Sequence, residues 1–171
     1  EAHSDTVNDI AFSPDDRTAV SVGGTTLIMW DTETGQEIAR FNEENAPDGH
    51  TDVITSVDIS TDTRFAVTGA NDGMVLLWDI DTTSPTFGDV MVRFRGHTDS
   101  VTDVHFHPNG TQLASGSMDN TVILWNFDPE DPTYTPGQII RTYAAALNPI
   151  TAVAFNGNGA RLAASAEDGV I

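Results

Sequence analysis

The chain of 171 residues has no cysteine and no lysine, and all seven of its basic residues are arginine. The first absence excludes disulfides, thiolate metal sites and cysteine nucleophiles. The second, set against 26 acidic residues, leaves a formal net charge of -19. Such a surface repels phosphate backbones, because nucleic-acid binders need clustered cations to displace counterions. Nucleic acid and membrane are therefore not expected partners. The charge is compatible with basic proteins, cations, or simple solubility and high-salt adaptation. Long apolar runs are missing too, no window approaching the roughly 18 residues of a membrane helix. The chain opens Glu1-Ala2-His3, without a start methionine or an apolar leader, which reads as a processed or truncated N-terminus. A soluble setting is expected, cytoplasmic in preference to secreted. With 39% hydrophobic and 19% charged residues, the composition fits one globular domain or part of one.

What the chain does have is a period. His3, His50 and His97 are each 47 positions apart, and Trp30, Trp78 and Trp125 follow at separations of 48 and 47. Between each histidine and its tryptophan lie an alternating apolar segment, a turn, a second apolar segment, a tight turn and a third strand. In the third unit Val104 and Phe106 alternate with polar neighbours, and Pro108-Asn109-Gly110 reverses the chain, proline presetting φ and Asn-Gly tolerating positive φ. Asp119-Asn120 makes the next reversal, and residues 138–143 supply a fourth strand. Four short antiparallel strands per repeat are the pattern of a propeller blade.

Gly49-His50 closing on Trp78-Asp79, and Gly96-His97 closing on Trp125-Asn126, resemble the Gly-His and Trp-Asp signature of WD-repeat proteins, over essentially the whole chain. The expected fold is all-β: an incomplete β-propeller of about three and a half four-stranded antiparallel blades, part of a ring of about seven. The units run approximately over 3–49, 50–96, 97–145 and an incomplete 146–171. The resemblance implies a hydrogen-bonded set in each blade, here His50, Thr68, Asp72 and Trp78, then His97, Ser115, Asp119 and Trp125. In the first unit the turn after Val22 is one residue short and has no aspartate; in the fourth, Ala146 replaces the histidine and the chain stops at Ile171.

A buried indole N–H, imidazole and carboxylate each cost free energy if unpaired, so a closed set would pin the outer strands to the loop between blades. A Ser-His-Asp hydrolase reading is rejected, because a catalytic triad surrounds one nucleophile and does not recur once per structural repeat. Asp103, His105 and His107 alternate along a strand and are the candidates a metal would use; polar lining near a strand end is the favoured reading, and no metal or cofactor is expected. Asn109-Gly110-Thr111 matches a glycosylation pattern, for which the turn is explanation enough.

Loop lengths carry the functional signal. From tryptophan to the glycine that opens the fourth strand is 5, 10 and 12 residues at Gly35, Gly88 and Gly137. The second and third units have expanded that turn, over residues 81–89 and 128–136, on the same side of the propeller. The first instead extends its link to the next blade, Phe41 to His50 spanning 9 positions where Phe94 to His97 spans 3. Repeat scaffolds place recognition in such loops, because strands must pack while loops vary. The candidate partner-binding residues are Glu43, Glu44, Asp48, Asp81, Asp89, Asp128, Glu130 and Asp131. The expected function is a non-catalytic protein-interaction scaffold or sensor, with protein partners that include basic surfaces. The alternatives are a structural subunit of a larger, extracellular assembly and a metal-dependent enzyme using the propeller channel. The open ring should be completed by further blades of a longer chain or, second, by another copy.

Overall fold

A computed structural model of the chain describes residues 2–42, 45–128, 135, 137–144 and 147–169. Fourteen strands and no helix are found among them. The first sheet runs in order β1 (Val7–Phe12), β2 (Thr18–Gly23), β3 (Thr26–Asp31) and β4 (Glu37–Phe41). The second is β5 (Ile54–Ile59), β6 (Phe65–Ala70), β7 (Val75–Asp79) and β8 (Val90–Phe94). The third is β9 (Val101–Phe106), β10 (Gln112–Ser117), β11 (Val122–Asn126) and β12 (Gln138–Tyr143). A two-stranded sheet, β13 (Ile150–Phe155) and β14 (Leu162–Ala166), follows. Every pairing is antiparallel between strands consecutive in the chain. The result is four blades of an unclosed propeller, set around the first strands β1, β5, β9 and β13, each touching the next.

The local rules repeat with the blades. A turn after each first strand is closed by an N–H to the carbonyl three residues back, from Asp16, Thr63, Gly110 and Gly159 to Ser13, Ser60, His107 and Asn156. All four closing residues take a left-handed backbone, φ 60, 63, 76 and 71°. Pairing of the first two strands slips at the same place in each blade, between Val7 and Asp9, Ile54 and Ser56, Gly116 and Ser117, and Ile150 and Ala152. That bulge twists the strand and presents Ile54, Val57 and Ile59, and their counterparts in β9 and β13, to the preceding sheet.

The described residues share no single core. Three apolar clusters lie between the sheets, one per junction: Val20, Val22, Ile54, Val57 and Ile59 in the first, Val67, Val101, Val104 and Phe106 in the second, Ala114, Ile150 and Val153 in the third. Close approach demands small residues. A Cβ on Gly69 would stand 2.5 Å from Val101 Cγ1 and 3.0 Å from Val104 Cγ1, and one on Gly116 2.5 Å from Ile150 Cγ2. Gly69→Val should therefore destabilise by about 1–3 kcal/mol through overpacking. Urea unfolding at equilibrium tests this; an unchanged midpoint would show that the second junction is loose.

Candidate functional site

The structure brings each implied hydrogen-bond set together. In the second blade Trp78 Nε1 donates to Thr68 Oγ1 at 2.8 Å, and Thr68 Oγ1 lies 2.7 Å from His50 Nε2. His50 Nδ1 faces the Asp72 carboxylate at 3.1 and 3.2 Å, and the N–H groups of Thr51 and Met74 donate to the same carboxylate. In the third, Trp125 Nε1 donates to Ser115 Oγ at 2.8 Å, Ser115 Oγ meets His97 Nε2 at 2.7 Å, and His97 Nδ1 meets Asp119 at 3.0 Å. Where the imidazole is neutral and donates Nδ1–H to the carboxylate, Nε2 accepts the hydroxyl proton and the hydroxyl oxygen accepts from the indole. Each set thus ties the third strand, second strand, second turn and inter-blade link together.

The charges follow from this geometry. Burial alone would raise the Asp72 and Asp119 pKa values, but hydrogen bonds outweigh it and both are lowered: from His50, Thr51 and Met74 to Asp72, and from Thr121, Thr98 and His97 to Asp119. Burial lowers the His97 pKa, overriding the Asp119 hydrogen bond and charge, so His97 is neutral in the folded chain at pH 7. Such an arrangement is not a nucleophile with its base. Each hydroxyl is wholly buried and already accepts an indole proton.

The first blade keeps half of the set. Trp30 Nε1 donates to Ser21 Oγ at 2.8 Å and Ser21 Oγ meets His3 Nε2 at 2.8 Å, but His3 Nδ1 is buried without a partner. The short turn, with Gly24 and Thr25 where Asp72 and Asp119 stand, is the cause. In the fourth blade the register puts Ala164 at the hydroxyl position.

Asp103, His105 and His107 do not converge. Asp103 accepts from Ser56 Oγ at 3.0 Å and from the N–H groups of Val104 and Val153. His105 Nδ1 turns to the Phe106 carbonyl at 2.9 Å, and His107 Nε2 to the Gly159 carbonyl at 3.0 Å. Among the described residues no three histidine, aspartate or glutamate side chains form a metal-holding group.

Sequence reasoning missed two further roles. The first is a stitch at every junction: Asp9 accepts the Val57 N–H, Asp58 the Phe106 N–H and Asp103 the Val153 N–H, at 2.9, 2.8 and 2.6 Å. Burial raises the pKa of Asp58 and of Asp103, and a neighbouring carboxylate, Asp103 or Asp9 respectively, adds to it. The second is Asp79, buried, whose carboxylate accepts from Ser84 Oγ, Thr86 Oγ1 and the Asp81 N–H and so shapes the expanded loop over residues 80–89.

That loop meets the extended link of the first blade. Phe87 packs edge-on against Phe41 at 5.5 Å, and a cleft of about 310 Å³ opens between Asn45, Ala46, Pro47 and Asp48 on one side and Gly88, Asp89 and Val90 on the other. Asp48 and Asp89 are both exposed there, and Asp48 pairs with Arg93 at 2.5 Å. Asp81 lies apart, accepting from Thr83 and facing Arg64 at 3.9 Å. Asp128 follows β11. Glu43, Glu44, Glu130 and Asp131 lie outside the described residues.

A family profile described as WD domain, G-beta repeat matches residues 1–31, 41–79, 88–126 and 137–171. From the second on, each match starts on or just before an outer strand and crosses to the next blade. A guanine nucleotide-binding protein subunit beta of Zea mays is 40% identical over 85 residues, 48% of this chain and 22% of that protein. The human DDB1- and CUL4-associated factor 10 is 34% identical over 80 residues, 46% of this chain and 13% of that one. Among solved structures, U3-55K and the RRP9 WD40 repeats each superpose with a TM-score of 0.77 at 22% and 21% identity, covering 90% of this chain and 43% of theirs. The chain thus spans under a quarter of the length of these curated relatives and under half of these solved chains.

Two outcomes follow from the hydrogen-bond sets. Thr68→Val leaves the buried Trp78 N–H and one His50 nitrogen unpaired and should cost about 1–3 kcal/mol, more than Ser21→Ala, whose histidine is already half-paired; thermal unfolding of both variants compares them. The His97 imidazole should titrate below the ordinary value of 6.5, read by NMR. The unfolded chain then takes up that proton first as pH falls below 6.5, so this group's contribution to stability is full above that value and is lost through the folded pKa. A midpoint at or above 6.5 would contradict the burial argument.

Proposed function

The chain belongs to the WD40 repeat family, and on that premise we propose that it is a non-catalytic scaffold that presents loop surfaces to partner proteins. The observation that carries this reading is the meeting of two departures from the repeat, the link at residues 45–48 and the loop 80–89, around one acidic cleft. Asp48 and Asp89 favour a basic protein segment as its occupant, since complementary charge steers encounter and selects among partners. The names of two relatives, a subunit and an associated factor, accord with work inside assemblies.

Binding to an array of arginine- and lysine-rich peptides, at low and high salt, tests the cleft. Asp48→Arg with Asp89→Arg should weaken peptide binding by about tenfold or more, whereas Asp15→Arg with Asp16→Arg, an equal change of net charge on a turn of the first blade, should leave most of it. Equal losses in the two variants would mean that net charge alone attracts the peptides and that the cleft is not the site.

A further inference from the structure

The carboxylates of the first and third junctions meet at one hydroxyl. Ser56 Oγ in β5 lies 3.1 Å from Asp9 Oδ2 in β1 and 3.0 Å from Asp103 Oδ1 in β9, so the first strands of three blades are joined through a side chain that is 3% exposed. Backbone amides occupy the rest of each carboxylate. Ile10 and Val57 donate to Asp9 Oδ1 and Oδ2, and Val104 and Val153 to Asp103 Oδ1 and Oδ2. The Val104 N–H also reaches Ser56 Oγ at 3.3 Å.

A hydroxyl has one proton to give. With both carboxylates ionised, Ser56 donates to one of them, and its other contact sets lone pair against lone pair at hydrogen-bond distance. One proton added to a carboxyl removes that conflict: the acid donates to Ser56 Oγ, and Ser56 donates to the remaining carboxylate. Asp103 is the member placed to take it. Burial raises its pKa above the ordinary 3.8 and the charge of Asp9 adds to the rise, while hydrogen bonds from Val153, Ser56 and Val104 oppose it without cancelling it. A proton on Asp103 Oδ1 leaves Oδ2 as a carbonyl oxygen for Val153, so the bond across the third junction survives.

The titratable side chains of the four first strands are Asp9, Asp58, Asp103 and His105. Asp58 faces Asp103, accepts the Phe106 N–H and has His105 Nδ1 at 3.6 Å. The strands β2, β6, β10 and β14 beside them contain no titratable residue.

We propose that Asp9, Ser56 and Asp103 form a proton switch between blades: on acidification Asp103 Oδ1 takes a proton from solvent and donates it to Ser56 Oγ, and the Ser56 hydroxyl turns from Asp103 to Asp9 Oδ2. The protonated state joins three blades by two hydrogen bonds in series and buries one charge fewer, so their stacking tightens in mild acid. An acid whose folded pKa is raised binds its proton in the folded chain before the unfolded chain does. Its contribution to stability is therefore full below 3.8 and is lost as pH rises through the folded value. Asp72 and Asp119, with lowered pKa values, act in the opposite direction.

Carbon-13 NMR of the aspartate carboxyls of the whole chain, with urea unfolding at each pH, tests this. The Asp103 signal, identified by its loss in Asp103→Asn, should titrate above 3.8. In that variant the amide N–H copies the acid and the carbonyl still accepts from Val153. Relative to it, the folding equilibrium of the parent should gain up to about tenfold per pH unit as pH falls through the window. Ser56→Ala separates the switch from plain burial. If Ser56 only donated to ionised Asp103, its removal would raise the Asp103 midpoint further; if it relays the proton to Asp9, its removal takes away the acid's acceptor and the midpoint falls toward 3.8. Asp9→Asn should lower the midpoint too, by removing the like charge, and it alone decides should Ser56→Ala not fold. A parent midpoint at or below 3.8, a rise in Ser56→Ala, no change in Asp9→Asn, or Asp9 titrating high in place of Asp103 would each overturn the proposal.

Discussion

A four-stranded sheet with strands of five or six residues has two faces to cover and too little length to curl over itself, so everything in this chain depends on stacking one sheet against the next. Among the described residues three apolar clusters replace a central core, one at each junction and drawn from both of its sheets. This constraint explains the sequence economically. Val101 and Val104 at the second junction and Ile150 and Val153 at the third are large, and the Gly69 and Gly116 that face them are small, because two sheets approach closest there. The loops, which take no part in the stacking, are free to differ in length and to hold recognition.

The hydrogen-bond sets serve the same end from the outer side. They are complete in the second and third blades and lack members in the first and the fourth. His3 lacks an acceptor for Nδ1, and Ala164 has no hydroxyl to offer an indole.

The fold was legible because its marks have fixed identity at fixed spacing. A histidine every 47 positions and a tryptophan at nearly the same period survive any variation in the loops, and the short turn after Val22 told of the missing acid before any coordinate did. The junction carboxylates were not legible. Position by position they read Asp9, Ser56 and Asp103 in one column and Ala11, Asp58 and His105 in another, so no column is constant. Strand alternation placed Asp103, His105 and His107 on one face, which is what raised the metal reading. It could not show that Asp103 would be claimed by Val153 in the next sheet, or His107 by the Gly159 carbonyl. Nor could loop length alone show that the link 42–49 and the loop 80–89 meet; that needs Phe87 packed on Phe41.

Those carboxylates also bear on why the sheets stack in one register. Each described junction has one acid reaching forward to one backbone N–H: Asp9 to Val57, Asp58 to Phe106, Asp103 to Val153. The acid changes position between junctions, so a sheet displaced along its neighbour would bury a carboxylate away from its amide. A hydrogen bond to a charged group contributes roughly 1.5–3 kcal/mol, a large share of the margin by which a domain is folded. Apolar faces built from valine, isoleucine and alanine are interchangeable in outline and cannot impose that choice alone. The raised pKa values of Asp58 and Asp103 are the other side of the device: burial that makes the carboxylate costly is what makes its partner across the junction decisive.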